Sequence, residues 1–211
     1  MSSLKQHISY LVDLFYPRIC LVCGRALQSH EKHLCMYCIQ NIPRTQFHSH
    51  SEDNIMEHLF RGKVQIEKAV AFFYFTHHGD YRHLIHQIKY RGEKECARYL
   101  GEIYARELGA EFFTDIDLLV PVPLHPKRHK KRGYNQSEWI AMGISDFTGK
   151  DIDRYLIHRC GTSETQTNKG IYKRWENTQN IFALGNTSDA EGKHLLLIDD
   201  VVTTGATLLS C

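Results

Sequence analysis

Four of the seven cysteines in this 211-residue chain form two Cys-x2-Cys pairs: Cys20, Cys23, Cys35 and Cys38. Each pair places two thiols on one side of a tight turn, and two such turns facing each other supply four sulfur ligands to one metal ion. Gly24 suits the first turn, because glycine tolerates a positive φ. The pattern predicts a structural zinc site, since four protein ligands leave no open position for catalysis. Unrelated structural cysteines or a redox-active pair are the alternatives. His30 and His33 could compete as ligands, but we expect them at the surface.

A second group of polar residues follows a buried-type strand. The run HLLLIDD, residues 194–200, is apolar until it reaches Asp199 and Asp200. Small and hydroxyl-bearing residues come next, namely Thr203, Thr204, Gly205, Ala206 and Thr207. Parallel sheets bind ligands beyond the carboxyl ends of their strands, and a glycine-containing turn before a helix binds phosphate through its N–H groups. Carboxylates beside a phosphate cradle predict a phosphorylated ribose; an ordinary strand–turn–helix with a threonine-rich cap is the alternative.

A strongly basic segment follows another apolar strand. The strand is DLLVPVP, residues 117–123, and the segment LHPKRHKKRGYNQ, residues 124–136, contains five Lys or Arg residues. We expect it to be a loop at the same sheet edge as Asp199, with Asn135 and Gln136 starting the next helix. A loop there could bind a pyrophosphate group. Contact with DNA or RNA and a solvated surface loop remain alternatives.

Hydrophobic periodicity predicts the elements that position these groups. An amphipathic helix is expected over residues 4–16, a strand over 69–75 and a helix over 136–147, and residues 44–66 read as a linker with one helical turn around Met56–Phe60. Two further helices are indicated after Gly79 by the apolar residues Leu84, Ile85, Ile88, Ala97, Leu100, Tyr104 and Leu108. Apolar strands that alternate with helices predict an α/β fold with a parallel sheet covered on both faces.

The composition excludes several classes of protein. Hydrophobic residues make up 42% of the chain, charged residues 24%, and the formal net charge is +2, which is not the charge of a strongly basic nucleic-acid-binding protein. No run approaches the roughly 18 apolar residues of a membrane-spanning helix, and the N-terminus lacks the features of a signal peptide. We therefore predict a cytoplasmic protein without membrane insertion.

The combination of motifs resembles a known family. The strand, Asp-Asp and VVTTGAT sequence is similar to the phosphoribosyl-pyrophosphate loop of type I phosphoribosyltransferases. Together with the four-cysteine module and VPVPLHPKRHKKRGYNQSEWIA at 120–141, it resembles the ComF family of competence-associated, phosphoribosyltransferase-like proteins. The segment before the last strand also contains four residues at the family's spacing: Gln166, Arg174, Asn177 and Phe182. The resemblance covers the chain from Ile8 onward.

This resemblance implies an organisation for the whole chain. The fold would be a parallel-sheet, type I phosphoribosyltransferase-like α/β domain over residues 69–211. A helix and zinc ribbon-like module over 1–43 and a linker over 44–68 would precede it. Relatives are expected to continue beyond the phosphate turn with a full helix and further strands, so we expect the C-terminal part of the fold to be missing here.

The resemblance also implies roles for individual residues. Asp199 and Asp200 would hold the ribose hydroxyls and help to seat Mg²⁺, and the turn at 203–207 would bind the 5′-phosphate. The pyrophosphate would be bound by Lys127, Arg128, Arg132 and Gly133. The polar segment 163–182 would be a flap that reaches the ligand through Gln166, Lys169, Arg174 and Asn177, unless it is an exposed helix and loop without ligand contact.

Three functions remain open at this stage. The first is binding of phosphoribosyl pyrophosphate in DNA uptake or nucleotide metabolism, with catalysis of phosphoribosyl transfer left undecided. The second is a non-enzymatic, zinc-containing accessory that binds single-stranded DNA and works with competence proteins, in which the aromatic run Phe72–Phe75 stacks bases rather than packing in the core. The third is a regulatory nucleotide sensor.

Overall fold

The computed structural model describes residues 17–49, 54–76, 79–160, 181–186 and 190–211. The predicted helix over 4–16 and all four flap candidates lie outside these residues. The helices are α1 (Met36–Gln40), α2 (Ile55–His58), α3 (Tyr81–Tyr90), α4 (Lys94–Leu108), α5 (Pro126–Arg132), α6 (Gln136–Thr148) and α7 (Ala206–Leu209), with 3-10 turns at Phe47–Ser49 and Ala110–Phe113. None of the described helices is long and apolar enough to cross a membrane.

The central sheet is parallel, as the alternation of strands and helices predicts. It consists of β1 (Leu118–Pro121), β2 (Asp151–Ile152) and β5 (Leu195–Ile198) in the order β2-β1-β5. Leu118 is opposite Leu195, and Pro121 is opposite Ile198. The carboxyl ends of β1 and β5 therefore meet at one edge, where the N–H of Val122 donates to the carbonyl of Ile198 at 2.9 Å. Both predicted strands are confirmed, with shorter bounds.

Different elements cover the two faces of the sheet. Leu119 and Ile198 pack in one buried cluster with Ala141 and Ile144 of α6. Leu118 and Val120, on alternate positions, pack in another cluster with the small antiparallel sheet of β3 (Ile157–Arg159) and β4 (Phe182–Leu184). Coverage of both faces is thus confirmed within the described residues, although a two-stranded sheet rather than helices covers the second face.

The helices α4 and α6 approach each other at two glycines. A Cβ atom added to Gly101 of α4 would collide with the backbone carbonyl of Ile140, and one added to Gly143 of α6 would collide with the carbonyl of Arg98. A bidentate ion pair between Arg98 and Asp146 connects the same two helices at 2.5 and 2.7 Å. This close packing gives α6 a rigid support, and the first turn of α6 lies at the carboxyl edge of the sheet, where Ser137 contacts Asp199.

The strand predicted over residues 69–75 is wrong. Phe73 forms a single antiparallel bridge with Arg44, and the segment does not form a regular strand. Phe72 instead stacks on Tyr104 of α4, with ring centroids 4.8 Å apart. The aromatic side chains gain more from packing on the helix than from extended strand pairing, which explains the failure of the β-propensity signal. Phe72 and Phe73 are half-buried, while Tyr74 and Phe75 are exposed.

The cysteine-containing segment packs directly on the rest of the chain. Cys20, Cys35 and Cys38 belong to the same buried cluster as Leu84 and Ile88 of α3. Cys96 and Leu100 of α4 complete that contact. The segment therefore shares a core with α3 and α4, and the predicted division of the chain at residues 43 and 68 remains a prediction.

Candidate metal centre and ligand site

The sequence brings the four cysteine thiols together through two local turns. The first pair lies in a turn closed by a bridge between Ile19 and Ala26, with Gly24 at φ 72°. The second pair begins α1, where Cys35 is the N-cap and its Sγ accepts a hydrogen bond from the N–H of Cys38 at 3.5 Å. Buried Glu31 holds the connection between the pairs, because its carboxylate accepts N–H groups of Gln28 and Met36 at 2.8 and 2.7 Å.

The geometry of the cluster fits one metal ion. All four sulfur atoms lie within 4.8 Å of one another, and those of Cys23 and Cys35 are 3.8 Å apart. Zinc–thiolate bonds of about 2.3 Å in a tetrahedron place the sulfur atoms about 3.8 Å apart. The predicted ligand set is therefore confirmed as a cluster that could hold a metal. Neither histidine between the pairs belongs to it: His30 is exposed, as predicted, whereas His33 is half-buried rather than at the surface, because it packs on Tyr99 with ring centroids 5.7 Å apart.

The electrostatics of the thiols also favour a cation. Burial acts to raise the pKa of Cys20, but hydrogen bonds from the backbone N–H groups of Cys23, Cys35 and Val22 outweigh it and lower that pKa to about 7. Burial and hydrogen bonding with the neighbouring thiols raise the pKa of Cys38. Hydrogen bonding therefore favours the thiolate of Cys20 and burial disfavours that of Cys38, and a bound cation would favour the thiolate form of both.

The two adjacent aspartates at the end of β5 have different partners. Asp199 accepts hydrogen bonds from the Oγ of Ser137 in α6 at 3.2 Å and from the N–H of Asp200 at 2.8 Å. Asp200 forms an ion pair with Lys89 of α3, with 2.9 Å between Nζ and Oδ2. Two helices that are far apart in the sequence, α3 and α6, therefore contact the carboxylate pair.

Burial changes the chemistry of one of these carboxylates. Desolvation and, to a smaller extent, the charge of Asp200 raise the pKa of Asp199 above its ordinary value, although Ser137 and Lys89 oppose the shift. The ionised form of Asp199 is thus held at a cost in free energy. A ligand that donates hydrogen bonds to this carboxylate would recover part of that cost.

The turn after the aspartates has the backbone shape that its glycine predicts. Gly205 has φ 73° and is the N-cap residue of α7, which begins at Ala206 as expected. A Cβ atom at Gly205 would contact the Cβ of Leu59 at 3.4 Å and the ring of Phe60 at 3.5 Å. Thr203, Thr204 and Thr207 are exposed. The turn therefore packs on Leu59 and Phe60, which follow α2, and its threonine side chains are exposed to solvent.

The basic segment is a helix rather than the expected loop. Pro126–Arg132 forms α5, with Pro126 in the first turn and Gly133 ending the helix at φ 80°. Proline near the start and glycine just after the end are the usual boundaries of a helix, so the local signals favoured this structure. Asn135 caps α6 as predicted, and its Nδ2 donates to the carbonyl of Val122 at 3.0 Å.

The start and end of this helical segment lie at the carboxyl edge of the sheet. The segment leaves that edge after Val122 and returns to it at Ser137, which contacts Asp199. Lys127 and Arg128 are exposed on α5. Arg132 instead donates to the side-chain amide oxygen Oε1 of Gln136 at 2.7 Å, and its guanidinium lies over the ring of Tyr90, 5.1 Å from the centroid. The guanidinium lowers the pKa of Tyr90 through their hydrogen bond.

Three residues at this edge were missed by the sequence reasoning: Lys89, Ser137 and Arg159. Burial and, next, the charge of Arg128 lower the pKa of Arg159, whose buried Nε has no hydrogen-bond partner in the described part of the chain. Ser137 adjoins Asn135 and Gln136 and could have been included with them. Lys89 gave no local signal, because it is one lysine on an ordinary amphipathic helix.

Comparison with known proteins identifies the family. The DNA utilization protein YhgH of Escherichia coli K12 is 32% identical over 198 residues, covering 90% of this chain and 80% of that protein. Competence protein ComFC of Bacillus subtilis is 24% identical over 191 residues, covering 90% of this chain and 75% of that protein. The chain belongs to the ComF family.

A third relative also supports the family assignment, whereas two other comparisons found no match. Competence protein F of Haemophilus influenzae is 30% identical over 93 residues, which cover 44% of this chain and 41% of that protein. Comparison with models of protein families gave no match. Comparison with solved structures gave none either. The ComF assignment therefore rests on the sequence relatives, and it confirms the resemblance identified from the motifs.

Proposed function

We propose that this ComF-family protein binds phosphoribosyl pyrophosphate at the carboxyl edge of its parallel sheet, in a type I phosphoribosyltransferase-like fold, and that it acts in the use or uptake of DNA. The names of its relatives, a DNA utilization protein and two competence proteins, support the biological setting. We further propose that the cysteine cluster holds structural zinc, because four thiols fill its coordination sphere.

One juxtaposition carries the proposal. The carboxylates of Asp199 and Asp200 and the turn at Gly205 follow one strand, at the edge where parallel sheets bind their ligands. The carboxylates accept hydrogen bonds from ribose hydroxyls, and the exposed hydroxyls and N–H groups of the turn bind the 5′-phosphate. A phosphorylated ribose is the ligand class that uses both halves.

The pyrophosphate end of the ligand matches the positive charge at the same edge. Exposed Lys127 and Arg128 on α5 are available to it, and half-buried Arg159 lies close enough to Arg128 for their charges to interact. Arg132 is already bonded to Gln136, so its contribution is to order the start of α6. Carboxylates together with substrate phosphates are the usual ligands of Mg²⁺, and Asp199 and Asp200 are the residues that would hold it.

Calorimetry with phosphoribosyl pyrophosphate and Mg²⁺ tests the site. The variant Asp199→Asn with Asp200→Asn keeps the size of both side chains and removes their charge. We expect affinity to fall at least about 100-fold, because two charge-assisted hydrogen bonds are lost. The matched control is Glu111→Gln with Asp115→Asn, two exposed carboxylates before the amino end of β1. Equal affinity of the aspartate variant and the control would overturn the assignment.

A second candidate function, binding of single-stranded DNA, is favoured by the surroundings of Tyr90. This ring is 49% exposed and lies beneath two cations, with Lys131 Nζ 5.6 Å and Arg132 Cζ 5.1 Å from its centroid. An exposed aromatic ring beside positive charges is the arrangement on which bases stack while cations contact the backbone.

Fluorescence anisotropy with a labelled oligonucleotide tests this candidate. Tyr90→Ala should weaken binding about tenfold, the effect of losing one base stack. Tyr155→Ala is the control, since Tyr155 is 83% exposed but lies in the turn before β3. If both variants bind like the unmodified protein, Tyr90 is not a stacking platform.

A further inference from the structure

One helix connects the cysteine cluster with the aspartate pair. In α3, Tyr81 is the first residue and Lys89 is the last but one. Eight residues of helix separate them by about 12 Å along the axis. Each of these side chains contacts one of the two sites, so the position of α3 links the sites mechanically.

The start of α3 is attached to the cysteine segment. The hydroxyl of Tyr81 donates to the backbone carbonyl of Cys38 at 2.6 Å. One and two turns further along, Leu84 and Ile88 are buried, with 0% and 4% exposure, in the cluster that includes Cys20, Cys35 and Cys38. The buried face of α3 therefore depends on how the cysteine segment is folded.

The end of α3 is attached to the ligand site. Lys89 contacts Asp200 at 2.9 Å, and the two side chains are only 19% and 20% exposed. The hydroxyl of Tyr134 also donates to the carbonyl of Ile88, which holds this end of the helix against the segment before α6. Lys89 therefore lies in a restricted position and keeps the Asp200 carboxylate in one orientation.

We propose that the cysteine centre positions Lys89, and through it Asp200, so that a metal ion bound by the four cysteines sets the affinity of the aspartate site for its ligand. This inference rests on the proposed function for the identity of that ligand. Lys89 is a positioning residue in it, because it acts through Asp200.

The physical basis is the dependence of small cysteine modules on their metal. Many small metal-binding modules fold only when the metal is bound, because metal binding and folding are linked. Without the ion, the surface against which Leu84 and Ile88 pack would lose its structure. A helix is stiff over three turns, so a change at Tyr81 reaches Lys89 as a displacement of the whole element.

A double-mutant cycle in the metal-loaded protein separates this coupling from two independent effects. Lys89→Met keeps the length of the side chain and removes the charge, and we expect it to weaken binding of phosphoribosyl pyrophosphate with Mg²⁺ about tenfold. Tyr81→Phe removes one hydrogen bond and should weaken binding about threefold. In the Lys89→Met background, Tyr81→Phe should have no further effect. Lys89→Arg should restore most of the affinity.

The cycle has clear contrary outcomes. Substitutions this far apart normally have additive effects on the free energy of binding. Additive losses of affinity from Tyr81→Phe and Lys89→Met would therefore overturn the coupling. Tighter binding by Lys89→Met would show that Lys89 competes with the ligand and would overturn its positioning role. Tyr99→Phe is the control, because Tyr99 packs on His33 of the same cysteine segment from α4 and should leave affinity unchanged.

Hydrogen exchange tests the coupling without the sugar ligand. Chelation of the metal should accelerate exchange in Tyr81–Tyr90 and in residues 199–205, while Leu118–Pro121 in the sheet stays protected. Faster exchange in α3 alone, or loss of protection throughout the chain, would overturn the proposal. If the protein fails to bind phosphoribosyl pyrophosphate, the proposed function fails, and this exchange experiment still decides whether the two sites are coupled.

Discussion

The cysteine centre and the aspartate site are built in opposite ways. The four thiols come from two turns within one short segment, and three of them are buried. The aspartate pair takes its partners from α3 and α6, and the turn that follows it faces solvent. A closed set of local ligands suits a structural ion, whereas an open edge assembled from distant elements suits a ligand that enters and leaves.

The two sites also differ in how they treat negative charge. Backbone N–H groups lower the pKa of Cys20 to about 7, whereas burial raises the pKa of Asp199. Hydrogen bonds thus favour the thiolate of Cys20, whereas desolvation disfavours the carboxylate of Asp199. We expect the first to contribute to stability and the second to reduce it, as functional sites often do.

Removal of a metal ligand should produce the largest effect. Cys38→Ser should abolish metal binding and lower the free energy of unfolding by about 4 kcal/mol, because metal binding and folding of the segment are linked. Metal content and urea unfolding measure both consequences. Cys160→Ser, at an exposed cysteine outside the cluster, should change neither. If Cys38→Ser has the same free energy of unfolding as the unmodified protein, the metal ion has no structural role.

A change at the phosphate turn should have the next largest effect. Gly205→Ala forces a side chain into the left-handed region and should cost about 1 to 2 kcal/mol of stability. Gly192→Ala carries the same strain, at φ 71°, in open space before β5. We expect only Gly205→Ala to weaken binding of phosphoribosyl pyrophosphate, by about fivefold. If calorimetry gives equal affinities for Gly205→Ala and Gly192→Ala, the turn at Gly205 does not bind the ligand.

Neutralising Asp199 should stabilise the protein. Its pKa is raised in the folded state, so the stability associated with its protonated form is present at low pH and is lost as the pH rises through the raised pKa. Asp199→Asn, which is never charged, should therefore be more stable by about 1 kcal/mol at neutral pH. Urea unfolding should show this difference disappearing at about pH 3, where the carboxyl group is protonated in both the folded and the unfolded protein. Lower stability of the variant at every pH would contradict the expected cost of this carboxylate.

The smallest effect is expected at Ser137. Ser137→Ala removes the hydroxyl that donates to Asp199, which should weaken ligand binding about twofold and cost about 0.5 kcal/mol of stability. Ser145→Ala is the control on the same helix, since that hydroxyl donates to the carbonyl of Lys150 at 2.8 Å, away from the site. If Ser145→Ala weakens ligand binding equally, the effect belongs to α6 and not to the contact with Asp199.

The sequence predictions succeeded for features that depend on residues close together in the chain and failed where a long-range contact decides the structure. The cysteine cluster and the strand that precedes Asp199 depend on neighbouring residues, and both were predicted correctly. The strand at residues 69–75 failed because stacking of Phe72 on Tyr104 outweighed its local propensity. The basic helix was not predicted, although Pro126 and Gly133 mark its ends. The high density of positive charge indicated a loop, whereas the proline and glycine boundaries indicate a helix.

The amino-acid order alone specified the four clustered cysteines, the apolar strands and the polar turn, because each depends on spacing along a few residues. The tertiary structure alone decided that Lys89 pairs with Asp200, that Ser137 donates to Asp199, and that a helix attached to Cys38 carries Lys89. Such contacts join residues far apart in the chain, and their geometry depends on how the helices pack around the sheet. The same packing buries Asp199 and gives its carboxyl group an unusual pKa.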